Sequence, residues 1–124
     1  MMSNQIITPA MIEKRLKDLS KEIDDAHDQL VDLELDWHNT KAKCELAMAR
    51  TRLELAQKSS PTGKNYTVQE REDMAIVQNA ELFERLATLD ALVKAARANT
   101  IRLKTQVDIA RSVGTSVRTS MDLT

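Results

Sequence analysis

Apolar and small residues recur along the first half of the chain at alternating steps of four and three: Ile12, Leu16, Leu19, Ile23, Ala26, Leu30, Leu33, Trp37, Thr40, Cys44, Ala47 and Thr51. This spacing is a heptad seam, which predicts a long helix paired along one narrow face. A second stripe, Val31, Leu35, Ala42, Leu46, Ala49, Leu53 and Ala56, begins only midway. The early half of this helix is therefore expected to need a single partner helix, and the later half a pair of them. A third run, Leu82, Leu86, Leu89, Val93, Ala96, Thr100, Leu103, Val107 and Ala110, has the same steps and predicts a second long helix.

The ends of these elements are marked by local chemistry. Thr8 is placed to cap the first helix, and Pro9 fills its first position, where a missing N–H donor costs nothing. "SSPTGKNY", Ser59 to Tyr66, gathers residues that break helices. "TVQE", from Thr67 to Glu70, reads as a capping box that opens the next helix. Gly114 is the expected C-terminal stop. The expected organisation is an N-terminal arm (1–8), one domain made of a helix (9–57), a loop (58–67) and a helix (68–113), and a flexible tail (114–124).

Composition supports an all-α class. Of 124 residues, 42% are hydrophobic, but only one Phe, one Trp and one Tyr are present, with two Gly and two Pro. Helix formers without aromatic anchors suit long paired helices more than a globular core. No apolar run approaches a membrane span, and Met1 to Ala10 lacks the pattern of a signal peptide, so a cytoplasmic location is expected. The one cysteine, Cys44, falls on the first seam and reads as a small core residue.

The charge is distributed in blocks. The net charge of −1 resolves into −5 over residues 11–40, +3 over 41–58, −3 over 67–85 and +4 over 91–124. Folded at the loop into an antiparallel hairpin, each block faces one of opposite sign, which would make the pattern a pairing code. The alternative lies in the last block, where Lys94, Arg97, Lys104 and Arg111 repeat at steps of three and seven along one helix face, with Arg118 in phase if the helix persists. Such a row suits a phosphate backbone, with Arg102 on another face and Lys64 in the loop as additions.

"SPTGKNYTV" followed by "LVKAARANTIRLKTQVDIARSVG" resembles the layout of the phage UvsY-type recombination mediators, over about residues 40–114. The matching positions are Val93-Lys94, Asn99-Thr100, Leu103-Lys104, Ile109-Ala110-Arg111 and Gly114. Ile101 and Ile109 stand where that family carries aromatic residues, so the resemblance implies backbone binding more than base stacking. It further implies a helical homo-oligomer that binds single-stranded DNA, loosens a single-strand-binding protein from it and helps load a RecA-like recombinase.

Other chemistry is sparse. "PTGK" lacks the earlier glycine and the hydroxyl residue of a phosphate-binding loop, and follows a helix where that motif needs a strand. Asp24 with His27 and Glu34 with His38 are single carboxylate and imidazole pairs, short of a metal site. No catalytic residue, metal or cofactor is expected. The expected architecture is an antiparallel hairpin of two long helices, coiled-coil-like, assembled into a homo-oligomer through Val31, Leu35, Leu46, Leu53, Ile76 and Phe83. The expected function is a DNA-recombination accessory protein with Lys94, Arg97, Arg102, Lys104, Arg111 and Lys64 as DNA contacts. The alternative is a structural or adaptor coiled coil, or a phage-encoded inhibitor that binds another protein through its acidic first half.

Overall fold

The computed structural model describes residues 6–123, so most of the expected N-terminal arm lies outside the described residues. Among them the chain forms three helices, α1 (Pro9–Ala56), α2 (Val68–Gln78) and α3 (Ala80–Asp122). The Met11 N–H donates to the Thr8 hydroxyl oxygen at 3.3 Å, the cap expected for α1. The capping box at α2 is complete: Glu70 N–H donates to Thr67 Oγ1 and Thr67 N–H to Glu70 Oε1, both at 3.1 Å.

The connection between α1 and α2 turns tightly. Gly63 N–H donates to the Ser60 carbonyl at 2.9 Å, Ser60 N–H donates to the Lys64 carbonyl at 2.8 Å, and Ser59 bridges to Asn65. Gly63 sits at φ 82°, a left-handed conformation that L side chains avoid.

Two features depart from the sequence reading. The expected helix 68–113 is divided at Asn79, whose side-chain amide donates to the Ala75 carbonyl at 2.8 Å and to Thr51 Oγ1 at 3.0 Å. An Asn that bonds the backbone one turn behind competes with the helical ladder, which the heptad pattern alone does not register. The second departure is at Gly114, which does not end α3. The seam runs on from Ala110 through Gly114, Val117 and Met121 at steps of four and three, and residues 114–122 are helical rather than a flexible tail. A Cβ on Gly114 would lie 3.3 Å from Ile12 Cγ2, so the glycine serves close helix approach and not termination.

The chain divides into two compact units. The first comprises the stretches up to Val31 and from Ala95 onward; the second is Asp32–Lys94. In the first, α1 and α3 run antiparallel, with Arg15 donating to Gln106 Oε1 at 3.0 Å. Its core is Leu19, Ala26 and Leu103, against which Ile23, Val107 and Ala110 pack. In the second, Thr40, Cys44, Met48, Thr51 and Leu55 of α1 are buried, as are Ala75, Leu89 and Val93. Every seam residue expected on α1 and α3 is buried or half-buried. The buried Thr51 and Thr100 hydroxyls donate to the carbonyls of Ala47 and Ala96, and no buried side-chain polar atom among the described residues lacks a partner.

Candidate nucleic-acid interface on the third helix

The basic positions of α3 fall into different electrostatic settings. Lys94 belongs to the second unit, and its ammonium meets Asp90 Oδ2 at 2.8 Å, one turn earlier on the same helix. The other basic residues expected as DNA contacts on this helix, Arg97, Arg102, Lys104 and Arg111, belong to the first unit. Arg102 donates to Asn99 Oδ1 at 2.9 Å and stays exposed in a shallow groove that Glu22 and Asp25 of α1 also line. Lys104 and Arg111 are exposed and make no ion pair or side-chain hydrogen bond among the described residues.

Continuation of α3 adds Arg118 to this set. Arg97, Lys104, Arg111 and Arg118 are spaced seven residues apart, so they repeat about every 10.5 Å along one flank of the core seam. By sequence, Arg118 joins the row only if the helix persists. The signal that secures it is the seam itself, which Gly114 and Val117 extend in the correct phase.

Lys104 and Arg111 on this flank form no ion pair with α1 among the described residues. Arg15 bonded to Gln106 and Ile12 packed at Gly114 fix an antiparallel heptad register in which Lys104 stands across from His27, and Arg111 across from Ser20. Arg118 stands across from Glu13 in that register without an ion pair between them. The second unit differs: Arg52 Nε meets Glu72 Oε1 at 2.7 Å, and Arg85 meets Asp36 Oδ2 at 3.1 Å. The first of these joins a positive block to a negative one, as a pairing code requires.

The remaining candidates are placed as follows. Lys64 is exposed on the turn between α1 and α2, in the second unit, so the expected contact set is split between units. Leu35, Leu46, Leu53 and Ile76 are exposed large apolar residues of the second unit, Val31 is exposed at the edge of the first, and Phe83 is half-buried beside Cys44 and Met48. Trp37 is half-buried on the seam, with the His38 ring 4.8 Å away edge-on and Lys41 Nζ 5.1 Å above its face.

Chemistry beyond charge is limited. Among the described residues, no three His, Cys, Asp or Glu side chains gather as a metal site, and no helix is long and apolar enough to cross a membrane. Residues 92–118 contain no Phe, Tyr or Trp, so this surface offers phosphate contacts and hydroxyl or amide hydrogen bonds in place of stacking platforms. Compared with known protein families, curated proteins and solved structures, the chain matches none.

Proposed function

We propose that this chain is a non-enzymatic, cytoplasmic accessory protein of DNA recombination that holds single-stranded DNA by its phosphates along α3. The observation that carries the proposal is the exposed row of Lys104, Arg111 and Arg118, which has no ion-pair partner among the described residues while Arg52, Arg85 and Lys94 are paired. Arg97 extends the row, and Arg102 and Lys64 supply further positive charge. Self-association would multiply modest rows into a multivalent surface. A RecA-like recombinase and a single-strand-binding protein as partners rest on the resemblance over residues 40–114.

The test is fluorescence anisotropy of a labelled single-stranded oligonucleotide at about 50 and about 200 mM salt, where phosphate contacts lose most affinity. Binding that weakens steeply with salt, and that Lys104→Glu with Arg111→Glu abolishes without lowering the melting temperature, supports the proposal. A lower melting temperature with unchanged binding would assign the row to internal pairing.

A second reading is favoured by the ion pairs of the second unit, where charges serve the chain's own packing. On that reading the protein is an adaptor coiled coil or a phage-encoded inhibitor, and the acidic stretch from Glu22 to Asp36 contacts another protein. Absence of oligonucleotide binding at either salt would favour it.

A further inference from the structure

Within the second unit, α1 carries two apolar faces, and only one is covered. The face through Thr40, Cys44 and Thr51 is buried. About half a turn around the helix, at 100° per residue, lies the face through Leu35, Ala42, Leu46, Ala49, Leu53 and Ala56. Leu35 is 60% exposed, Leu46 53% and Leu53 66%, and the three alanines are exposed as well. The face is specific to this stretch, because the corresponding positions earlier on α1 are Lys14, Asp18, Lys21, Asp25, Asp28 and Asp32.

The uncovered residues form a second heptad seam. Asn39, Leu46 and Leu53 repeat every seven residues as one set of core positions, and Leu35, Ala42, Ala49 and Ala56 as the other. Small residues at every second layer allow two helix backbones to approach closely. Glu45 and Arg50 flank the seam on opposite sides, five residues apart, which is the offset at which flanking charges meet across parallel paired helices.

We infer that this face of α1 pairs with the same face of a second copy, parallel and in register, to form a homodimer. Glu45 of each copy then meets Arg50 of the other, twice by symmetry. Antiparallel pairing over the full stripe would instead set Glu45 against Glu45 and Arg50 against Arg50. Asn39 selects the same arrangement. In the parallel register the two Asn39 amides face one another and hydrogen-bond, whereas antiparallel overlap buries each against Ala56 with no partner. The inference goes beyond the DNA-binding proposal and stands whether or not α3 binds DNA.

The test is the mass of the full chain by light scattering after gel filtration at tens of micromolar. The expected result is twice 14.0 kDa, falling to one chain for Leu46→Asp with Leu53→Asp. Both leucines are exposed within the chain, so helical circular dichroism should be unchanged in that variant. Asn39→Cys should form a disulfide-linked dimer under mild oxidation. Glu45→Arg should weaken dimerisation several-fold, and adding Arg50→Glu should restore it. A monomeric or higher-order wild type, a dimer indifferent to the leucine substitutions, or a dimer in which Asn39→Cys does not cross-link would overturn the inference.

Discussion

Asn79 donates its side-chain amide to the Thr51 hydroxyl oxygen at 3.0 Å, and Thr51 in turn donates to the Ala47 carbonyl at 2.9 Å. This pair ties the break between α2 and α3 to a buried position on α1. A double-mutant cycle with Asn79→Ala and Thr51→Val should give a coupling of about 1 kcal/mol in urea unfolding. Additive single effects would show that the break is held by the Asn79 contact to Ala75 alone.

Gly114 leaves room for Ile12, and a larger side chain there must displace it. Gly114→Leu should lower stability by about 1–3 kcal/mol, the usual cost of overpacking. Removing residues 114–124 should also lower the melting temperature, because Val117 is half-buried and Gly114 buried. A truncated chain that melts like the full one would restore the expectation of a flexible tail.

The capping box at Thr67 satisfies two backbone donors at the start of α2. Thr67→Ala should cost about 1 kcal/mol in denaturant unfolding. Thr67→Asp, which keeps an acceptor oxygen, should cost less.

Lys104 and Arg111 are expected to bear on binding rather than stability. If both contact phosphates, replacing the pair by Gln should reduce the salt slope of single-stranded DNA binding by about 1.4, two contacts at about 0.7 each. The melting temperature should stay within the small change typical of exposed, unpaired charges. An unchanged slope would place the contacts elsewhere.

The seams are legible in the sequence because a 3.5-residue repeat is a property of the whole helix and tolerates small residues such as Thr40 and Ala47. Thr8 and the box from Thr67 to Glu70 are legible for another reason, since a cap depends on residues only three apart. Asn79 and Gly114 are not. Each has two uses in a sequence, and the choice depends on a residue far away in the chain, Thr51 in one case and Ile12 in the other. The basic row is visible by spacing, but which members carry partners is not. Lys94 pairs one turn back with Asp90, whereas the neutrality around Lys104 and Arg111 follows from the register between two helices. Arg118 is hidden for the same reason as Gly114, because its place in the row depends on the helix running through that glycine.

The tight turn from Ser59 to Asn65 has a consequence for the order in which the chain folds. Arg52 and Glu72 are separated by 20 residues along the chain, Arg15 and Gln106 by 91. Closing the longer loop first costs about 1 kcal/mol more in chain entropy than closing the shorter one. Pairing is therefore expected to nucleate next to Gly63 and to zip toward the ends, so Gly63→Val should slow refolding while leaving the unfolding rate less affected. A nascent chain leaving the ribosome would thus assemble Asp32–Lys94 before the stretch from Ala95 onward exists to meet the first helix.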